Sequence, residues 1–355
     1  MEATVAGQHT LPWSWYEDPG QARRERDLIF RRAWQYAGRR DQLTAPGSYF
    51  ATHAGGLPAV VTRDRDDVLR AFANVCRHRG SLVASGQAER GTLQCPYHAW
   101  TYGLDGCLRA APRAKDDPGI DLGELGLVPM AVGTWGPFVF VNPDAEAPPL
   151  IEAIGDLPEV VRAHGLDVDT LAFHHRTEYE IRANWKVALE NYLECYHCQL
   201  NHPGLVSVID DRKLRIESVG LRASQFNPAE AQALAGRAPL DIAGGVPEGQ
   251  FHLLFPSLKF NSYPGPPNLS IGPLWPVAPD RCRGYLDYWY APDADPAWIE
   301  EMLTFDDQVG AEDTGLVEAV QAGAGSGLVA EGRLLAHDEQ LIARFQAYVR
   351  EMVSG

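Results

Sequence analysis

The chain has 355 residues, 45% hydrophobic and 10% aromatic, and carries a net charge of −16 from 31 Lys and Arg against 47 Asp and Glu. Such a length exceeds one ordinary core and predicts two domains, while the acidic balance argues against nucleic acid or an anionic membrane as a partner. No apolar run approaches the ~20 residues of a membrane helix, and the stretch Met1 to Thr10 shows no basic flank followed by an apolar core, so no signal peptide is visible.

In chain order, Pro19 to Gln35 reads as a helix, its charged run at Arg23 to Asp27 leading into Leu28, Ile29, Phe30 and Trp34. From Tyr36 to about Asn142 the character changes to short β-type runs, among them Ala59 to Thr62, Leu69 to Asn74 and Phe138 to Val141. Gly and Pro punctuate them, which predicts a small all-β domain. A Pro-rich joint, Pro143 to Pro149, precedes a helix over Ile151 to His164, a strand over Arg176 to Arg182 and a strong helix from Asn184 to about Asn201. The Ala/Gly/Pro-rich stretch Arg222 to Gly249 reads as a mobile loop, partly helical. Further strands follow between Phe251 and Tyr290, then a helix from Pro296 to about Gln321 with Asp295 as its cap, and a closing helix over His337 to Met352.

Inside the β region lie Cys76-Arg-His78 and Cys95-Pro-Tyr-His98, each in a loop-like context. Each motif pairs one thiolate with one imidazole. Two Cys and two His shared between two irons is the ligand set of a Rieske [2Fe–2S] centre. Two neutral histidines on one iron lower the cluster's negative charge, so it accepts an electron more readily than an all-Cys cluster. Zinc sites of Cys₂His₂ type usually keep the two Cys in one motif and the two His in the other; here the types are mixed within each half, which disfavours zinc.

A second site lies on the helix from Asn184. Trp185, Leu189, Tyr192, Leu193, Tyr196 and Leu200 form its apolar stripe, and Glu190, Glu194 and His197 lie away from it. Glu190 alone reads as solvated. His197 and His202 are five residues apart, which on an unbroken helix turns them about 140° from each other. They can converge only if the helix ends between them, and Pro203 biases His202 out of helical geometry. Two His and one carboxylate form the facial triad of non-haem Fe(II) oxygenases, and an electron-accepting cluster needs such a consumer. The candidate carboxylates are Asp306, Asp307, Glu312 and Asp313; Asp306 and Asp313 share a helix face, and spacing alone does not separate them.

These motifs, with Asn184-Trp-Lys, Glu190-Asn-Tyr-Leu-Glu-Cys-Tyr-His197, His202-Pro203 and the late Glu312-Asp313 with Leu316-Val-Glu318 and Gln321, make the chain resemble catalytic α subunits of Rieske non-haem iron aromatic-ring-hydroxylating oxygenases over nearly its whole length. The resemblance implies an α+β fold: an N-terminal Rieske all-β domain plus a C-terminal catalytic domain with a curved antiparallel sheet and helices. The expected boundaries are 1–35 for an N-terminal helical segment packing on the catalytic domain, 36–142 for the Rieske domain and 150–355 for the mononuclear iron domain. It implies Cys76, His78, Cys95 and His98 as cluster ligands and His197, His202 and Asp313 as iron ligands, Asp313 being preferred over Asp306 for its Glu-Asp flank and its spacing to Gln321.

The resemblance also implies that electrons pass from NADH or NADPH through a separate flavin- or ferredoxin-type reductase to the cluster, and across a subunit boundary in a homotrimer to the Fe(II), where O₂ hydroxylates a small organic substrate. Glu194, which stands where many arene dioxygenases have Asp, would bridge His197 and a neighbouring cluster histidine, His98 or alternatively His78. With the Glu-Cys-Tyr-His-Cys wording, it resembles the branch acting on choline, glycine betaine, carnitine and related N-methyl compounds, which suggests a monooxygenase with N-demethylation. The alternatives are hydroxylation of an aromatic or polycyclic molecule and, in another class, a Rieske electron carrier without oxygen chemistry. Aromatic residues crowd Phe251 to Tyr290, and a cage for a quaternary ammonium would use them; so would a core. Cys195 and Cys198 read as packing residues rather than redox partners, and the low cysteine density predicts a reducing, cytoplasmic compartment.

Overall fold

The computed structural model describes residues 9–114, 119, 121–230 and 241–354. The chain divides into two compact units, one of residues 30–153 and one joining the residues through Ile29 to those from Ile154 onward.

The first helix, α1 (Pro19–Glu25), is capped by Asp18, whose side chain accepts from the Gly20 and Gln21 amides, with Pro19 at its first position. It is shorter than its sequence pattern suggests. Arg26–Phe30 continue as one wider π-type turn, which rotates Ile29 and Phe30 inward to full burial.

The 30–153 unit is built from β1 (Gln35–Arg39), β2 (Ser48–Ala54), β3 (Leu57–Arg63), β4 (Leu69–Ala73), β5 (Gln87–Glu89), β6 (Thr92–Gln94), β7 (Thr101–Gly103), β8 (Leu108–Ala110), β9 (Pro129–Trp135) and β10 (Phe138–Asn142). Seven of these form one sheet in the order β1-β10-β9-β4-β3-β2-β5, and β6-β7-β8 form a second, small one. All of β10 is buried, as expected of an apolar strand between two neighbours. Cys76 and Cys95 sit in a core with Val60, Phe72, Trp100 and Tyr102. The predicted helix over Ile151 to His164 is two short ones, α2 (Leu150–Ile154) and α3 (Leu157–Ala163). They are divided at Gly155, whose positive φ of 55° suits a residue without Cβ.

The second unit carries the other large sheet: β11 (Ala172–Ile181), then, after α4 (Trp185–Tyr192) and α5 (Cys198–Asn201), β12 (Arg215–Val219), β13 (Arg222–Pro228), β14 (Glu248–Leu254), β15 (Leu258–Ser262), β16 (Asn268–Ala278) and β17 (Arg281–Tyr290). Its order is β11-β17-β16-β15-β14-β13-β12, antiparallel throughout. The sheet is curved, and the helices α6 (Pro296–Ala324) and α7 (Gln340–Ser354) complete the unit. Residues 222–228 form strand β13 rather than a loop, while residues 231–240 of that expected loop lie outside the described residues.

Register explains which side chains meet. His175 pairs with Tyr288, Tyr288 with Ser270, Ser270 with Asn261, Asn261 with Phe251 and Phe251 with Gln225. Directly opposed residues share a face, so one row of side chains crosses six strands. One step along, Lys259 pairs with Gly272 and Leu253. A Cβ on Gly272 would lie 1.7 Å from the Tyr285 carbonyl oxygen, so the position opposite Lys259 is closed to any side chain.

Candidate functional site

The two Cys–His loops of the β unit are built alike. The Gly80 amide donates to the Cys76 carbonyl at 3.0 Å, and the Ala99 amide to the Cys95 carbonyl at 3.0 Å. Each closing residue adopts a left-handed φ, 77° at Gly80 and 58° at Ala99; glycine does so freely, alanine at a cost. Both cysteines are buried, His98 is half-buried and His78 is exposed. The two rings lie 4.6 Å apart between centroids, and His78 stacks on Trp100 at 4.9 Å. Tyr102 Oη lies 3.3 Å from Cys76 Sγ and accepts from the Arg77 amide at 3.0 Å. Burial pushes the Cys95 thiol up, but hydrogen bonds from the Tyr97 and His98 amides and from Cys76 more than reverse this, so the thiolate form is favoured. Burial and the neighbouring His78 and Arg79 lower His98, which favours the neutral ring a metal requires.

The donor set fits a two-iron cluster. Sulfurs point into the core and imidazoles toward the surface. Among the described residues the only three donors that gather within 4.8 Å of one another are His197, His202 and Asp313. The four Cys and His donors of the β unit therefore do not converge on a single ion, as a tetrahedral zinc site would require.

In the second unit, Asn184 caps α4, accepting from the Lys186 amide at 3.0 Å. Its own amide donates to Gln321 Oε1 at 2.7 Å, tying α4 to α6. Helix α4 stops at Tyr192, earlier than its sequence pattern suggests, and the break falls before His197 rather than between the two histidines. His197 opens the single turn of α5 and His202 closes it at φ −121°, ψ 66°, outside helical space as Pro203 dictates. With the helix broken at residues 193–196, the apolar period does not carry through: Tyr196 and Leu200 are 69% and 86% exposed, not buried. Cys195 and Cys198 are joined in a disulfide, which corrects their reading as packing residues alone, although Cys198 is also buried in the local core.

His197 Nε2 and His202 Nε2 are 3.0 Å apart, His202 Nε2 and Asp313 Oδ1 3.0 Å, and His197 Nε2 and Asp313 Oδ1 3.4 Å. Ligands at right angles on metal–ligand bonds of about 2.1 Å stand about 3 Å apart, so the trio matches three donors on one face of a single ion. Asp306, its rival, is taken up elsewhere: Tyr263 donates to its Oδ1 at 2.7 Å and Tyr288 to its Oδ2 at 2.6 Å. Each histidine is also held from behind. Glu194 Oε1 bonds His197 Nδ1, while Glu194 Oε2 accepts from the Tyr196 and His197 amides. Glu312 Oε2 lies 2.8 Å from His202 Nδ1. The sequence offered Glu312 only as one of four candidate iron carboxylates; its place behind His202 was not read from it, although its position next to Asp313 on one helix was the available signal. Burial disfavours charge on His197, but Asp313 and Glu194 outweigh it and raise the ring to about 9. Burial likewise raises Asp313, and the two histidines overcome it and hold the carboxyl at about 2. A cation is therefore already favoured where these groups meet.

These residues line a cavity of about 350 Å³. Its wall adds Phe251, Asn261, Tyr263 and Tyr288 from the sheet face and Asp306 from α6. Lys259 also lines it, with its Nζ 4.8 Å from the centre of the Tyr179 ring. Burial disfavours the Lys259 charge, yet Tyr179 and the Asp306 and Asp313 carboxylates raise it above the ordinary lysine value.

Beneath α4 lies a polar cluster, of which periodicity assigned Glu190 to solvent. Glu190 accepts from Tyr16 at 2.7 Å and Gln346 at 2.9 Å, and burial pushes its carboxyl up to about 7. Lys186, fully buried, pairs with Glu25 at 2.7 Å.

The family model for the ring hydroxylating alpha subunit (catalytic domain) matches residues 168–355, and that for the Rieske [2Fe-2S] domain matches residues 33–129. The chain is 31% identical to choline monooxygenase, chloroplastic, of Spinacia oleracea, covering 97% of this chain and 78% of that one. It is 29% identical to the carnitine monooxygenase oxygenase subunit of Acinetobacter pittii, covering 96% and 94%. Among solved structures, a quaternary ammonium Rieske monooxygenase superposes with a TM-score of 0.85 at 28% identity, covering 97% and 95%. The match over 168–355, with the monooxygenase relatives, counts against the reading as a Rieske electron carrier without oxygen chemistry. Among the described residues no helix is long and apolar enough to cross a membrane.

Proposed function

The chain belongs to the family of Rieske non-haem iron ring-hydroxylating oxygenase α subunits, and from that premise we propose that it is a monooxygenase that hydroxylates an N-methyl group of a quaternary or methylated amine. The observation that carries this reading is the cavity itself: a carboxylate, Asp306, held by two tyrosine hydroxyls in the wall of the same cavity as the His197, His202 and Asp313 trio. A cationic head group finds charge and aromatic faces there, and choline and carnitine, named for the monooxygenase relatives, both carry such a head group.

In this reading Cys76, His78, Cys95 and His98 hold the [2Fe–2S] cluster, and His197, His202 and Asp313 hold Fe(II). When bound, the cluster supplies single electrons at moderate potential and the Fe(II) supplies activation of O₂. The chain's own part is orientation and charge. Glu194 and Glu312 fix the faces of the two imidazoles, so the Nε2 atoms stay turned to the metal. The aromatic wall keeps the substrate near the trio and excludes water. Hydroxylation of an N–CH₃ carbon inserts one oxygen atom from O₂, the other leaving as water with two electrons and two protons. The N–CH₂OH product then splits into the demethylated amine and formaldehyde.

The electrons come, in the same proposal, from NAD(P)H through a separate flavin- or ferredoxin-type reductase, and the active form is a homotrimer in which Glu194 meets His98, or alternatively His78, of a neighbouring protomer. Supporting this are the outward-facing cluster histidines, beside exposed Tyr97 and Leu82, and the contact between Glu194 and His197. Cytoplasmic residence belongs to the same reading; the free thiols Cys107 and Cys282 support it, and the Cys195–Cys198 disulfide counts against it.

The test is formaldehyde release from a panel of N-methyl compounds with a surrogate reductase, together with iron counting. A third iron beyond the cluster's two should leave with a mild Fe(II) chelator while the visible Rieske spectrum stays. Absence of formaldehyde across the panel, with oxygenation of apolar arenes instead, would overturn the N-methyl assignment and keep the family.

A further inference from the structure

His197 is bracketed by a covalent bond that the chemistry above does not use. Cys195 and Cys198 form a disulfide, and only Tyr196 and His197 lie between them. A loop this short adds little to global stability, because the chain-entropy gain of a cross-link is smallest for short loops. Its effect falls on the two residues it encloses. Both cysteines line the cavity that holds the His197, His202 and Asp313 trio. Cys198 is 3% exposed and packed in the local core, whereas Cys195 is half-buried, so the bond is reached from the Cys195 side.

Two preferences compete in this segment. From Trp185 to Leu200 the apolar spacing is that of one unbroken helix. Yet α4 stops at Tyr192, and Tyr196 and Leu200, which would continue its apolar stripe, are exposed. Cβ atoms three residues apart on a regular helix stand about 5–6 Å from each other, whereas a disulfide draws them to about 3.8 Å. The bond therefore opposes a regular helix where the chain departs from one. A helix continued through Asn201 would turn His197 and His202 about 140° apart and undo the 3.0 Å approach of their Nε2 atoms. Glu194, accepting from the Tyr196 and His197 amides, is the other local hold on the break.

We propose that Cys195 and Cys198 are a reversible redox switch on the iron site. Closed, the bond keeps the chain broken and His197 turned toward His202. Open, it lets α4 run on toward Asn201 and carries His197 away, so the site holds Fe(II) less tightly. Opening consumes two electrons and two protons from a dithiol reductant, which is itself oxidised to a disulfide. Closing returns them by exchange with an oxidised disulfide, which is reduced to thiols. The inference rests on the assignment of His197 and His202 as iron ligands and is independent of the substrate.

The experiment poises the iron- and cluster-loaded protein anaerobically across ratios of reduced to oxidised dithiothreitol. After desalting, the closed fraction is read by alkylation and peptide mass, and Fe(II) affinity by competition with a chelator. Opening should weaken Fe(II) binding about tenfold, near the low end of what a disulfide contributes, with the visible Rieske spectrum unchanged. In the iron-free protein, amide exchange over residues 193–197 should slow on opening, as a continued helix requires. The double variant Cys195→Ser with Cys198→Ser should show the weakened affinity at every ratio, and Cys107→Ser should respond as the parent does. A bond that stays closed in fully reduced dithiothreitol, an affinity indifferent to the bond, or an equal reductant effect in the double variant overturns the switch and leaves the iron assignment standing. Faster exchange over residues 193–197 also overturns it, since that marks a loosened turn rather than a helix. Iron missing from both forms overturns the assignment and the switch together.

Discussion

Glu312 Oε2 stands 2.8 Å from His202 Nδ1, on the ring edge opposite the one turned to Asp313. Adjacent residues of α6 thus grip the two sides of one imidazole. Removing the rear grip frees the ring to rotate and lowers its basicity. Glu312→Ala should weaken Fe(II) binding about 10- to 100-fold with the Rieske spectrum unchanged. Titration of the apo-iron protein with Fe(II) checks this, and unaltered affinity would remove Glu312 from the support of the site.

Asp313 and Asp306 lie on the same helix but meet different partners. Asp313→Ala should lose the chelatable iron, because only two donors would remain. Asp306→Ala should keep it, since its carboxylate is engaged with Tyr263 and Tyr288. Metal analysis after desalting decides the matter; iron retained in the first and lost in the second would exchange the two assignments.

Glu194 touches His197 through Nδ1 and through the backbone amide. Glu194→Ala, supplied with saturating Fe(II), should keep its iron and lose turnover by about two orders of magnitude, on the scale of a misoriented catalytic group. Single-turnover oxidation of the pre-reduced cluster reads the effect directly. Undiminished rates would end its role as the bridge.

Glu190 predicts a pH dependence of stability. Burial raises its carboxyl from 4.5 to about 7, so the folded chain binds more protons than the unfolded chain between those values. Stability therefore falls as pH rises through that window, and the loss is complete above the folded value. Glu190→Gln should remove this slope, gaining on the order of 1–3 kcal/mol at pH 8 relative to the parent and little at pH 4. Denaturant midpoints at the two pH values measure it, and parallel behaviour of both proteins would show that Glu190 does not titrate in the window.

Much of the site was legible because its signals are local. A cysteine and a histidine within four residues, twice, read as a cluster without knowledge of the fold, since the loops that carry them close on themselves through contacts from Cys76 to Gly80 and from Cys95 to Ala99. The pre-proline bias at His202 was likewise visible. The early stop of α4 was not: nothing in the pattern from Trp185 to Leu200 departs from helical period, and the break at residues 193–196 goes with a tertiary bond from Tyr192 to Asn261 and with the local acceptance of the Tyr196 and His197 amides by Glu194. Glu190 was misjudged for the same reason. A charged residue on the polar side of a helix looks solvated until Tyr16 and Gln346, far away in sequence, are brought over it.

By itself the amino-acid sequence determined the chemistry available here: which side chains offer metal donors, in which short spacings, and the family to which that wording belongs. Only the tertiary structure gathered Asp313 rather than Asp306 with the two histidines, brought Glu312 behind His202, and put Lys259 and Asp306 in the wall of one cavity. The physical reason is range. Ligand spacing and pre-proline bias act within a turn or two of chain, whereas the distance between a strand residue and a helix residue some fifty positions on is set by the register of a seven-stranded sheet, to which each strand contributes only a part.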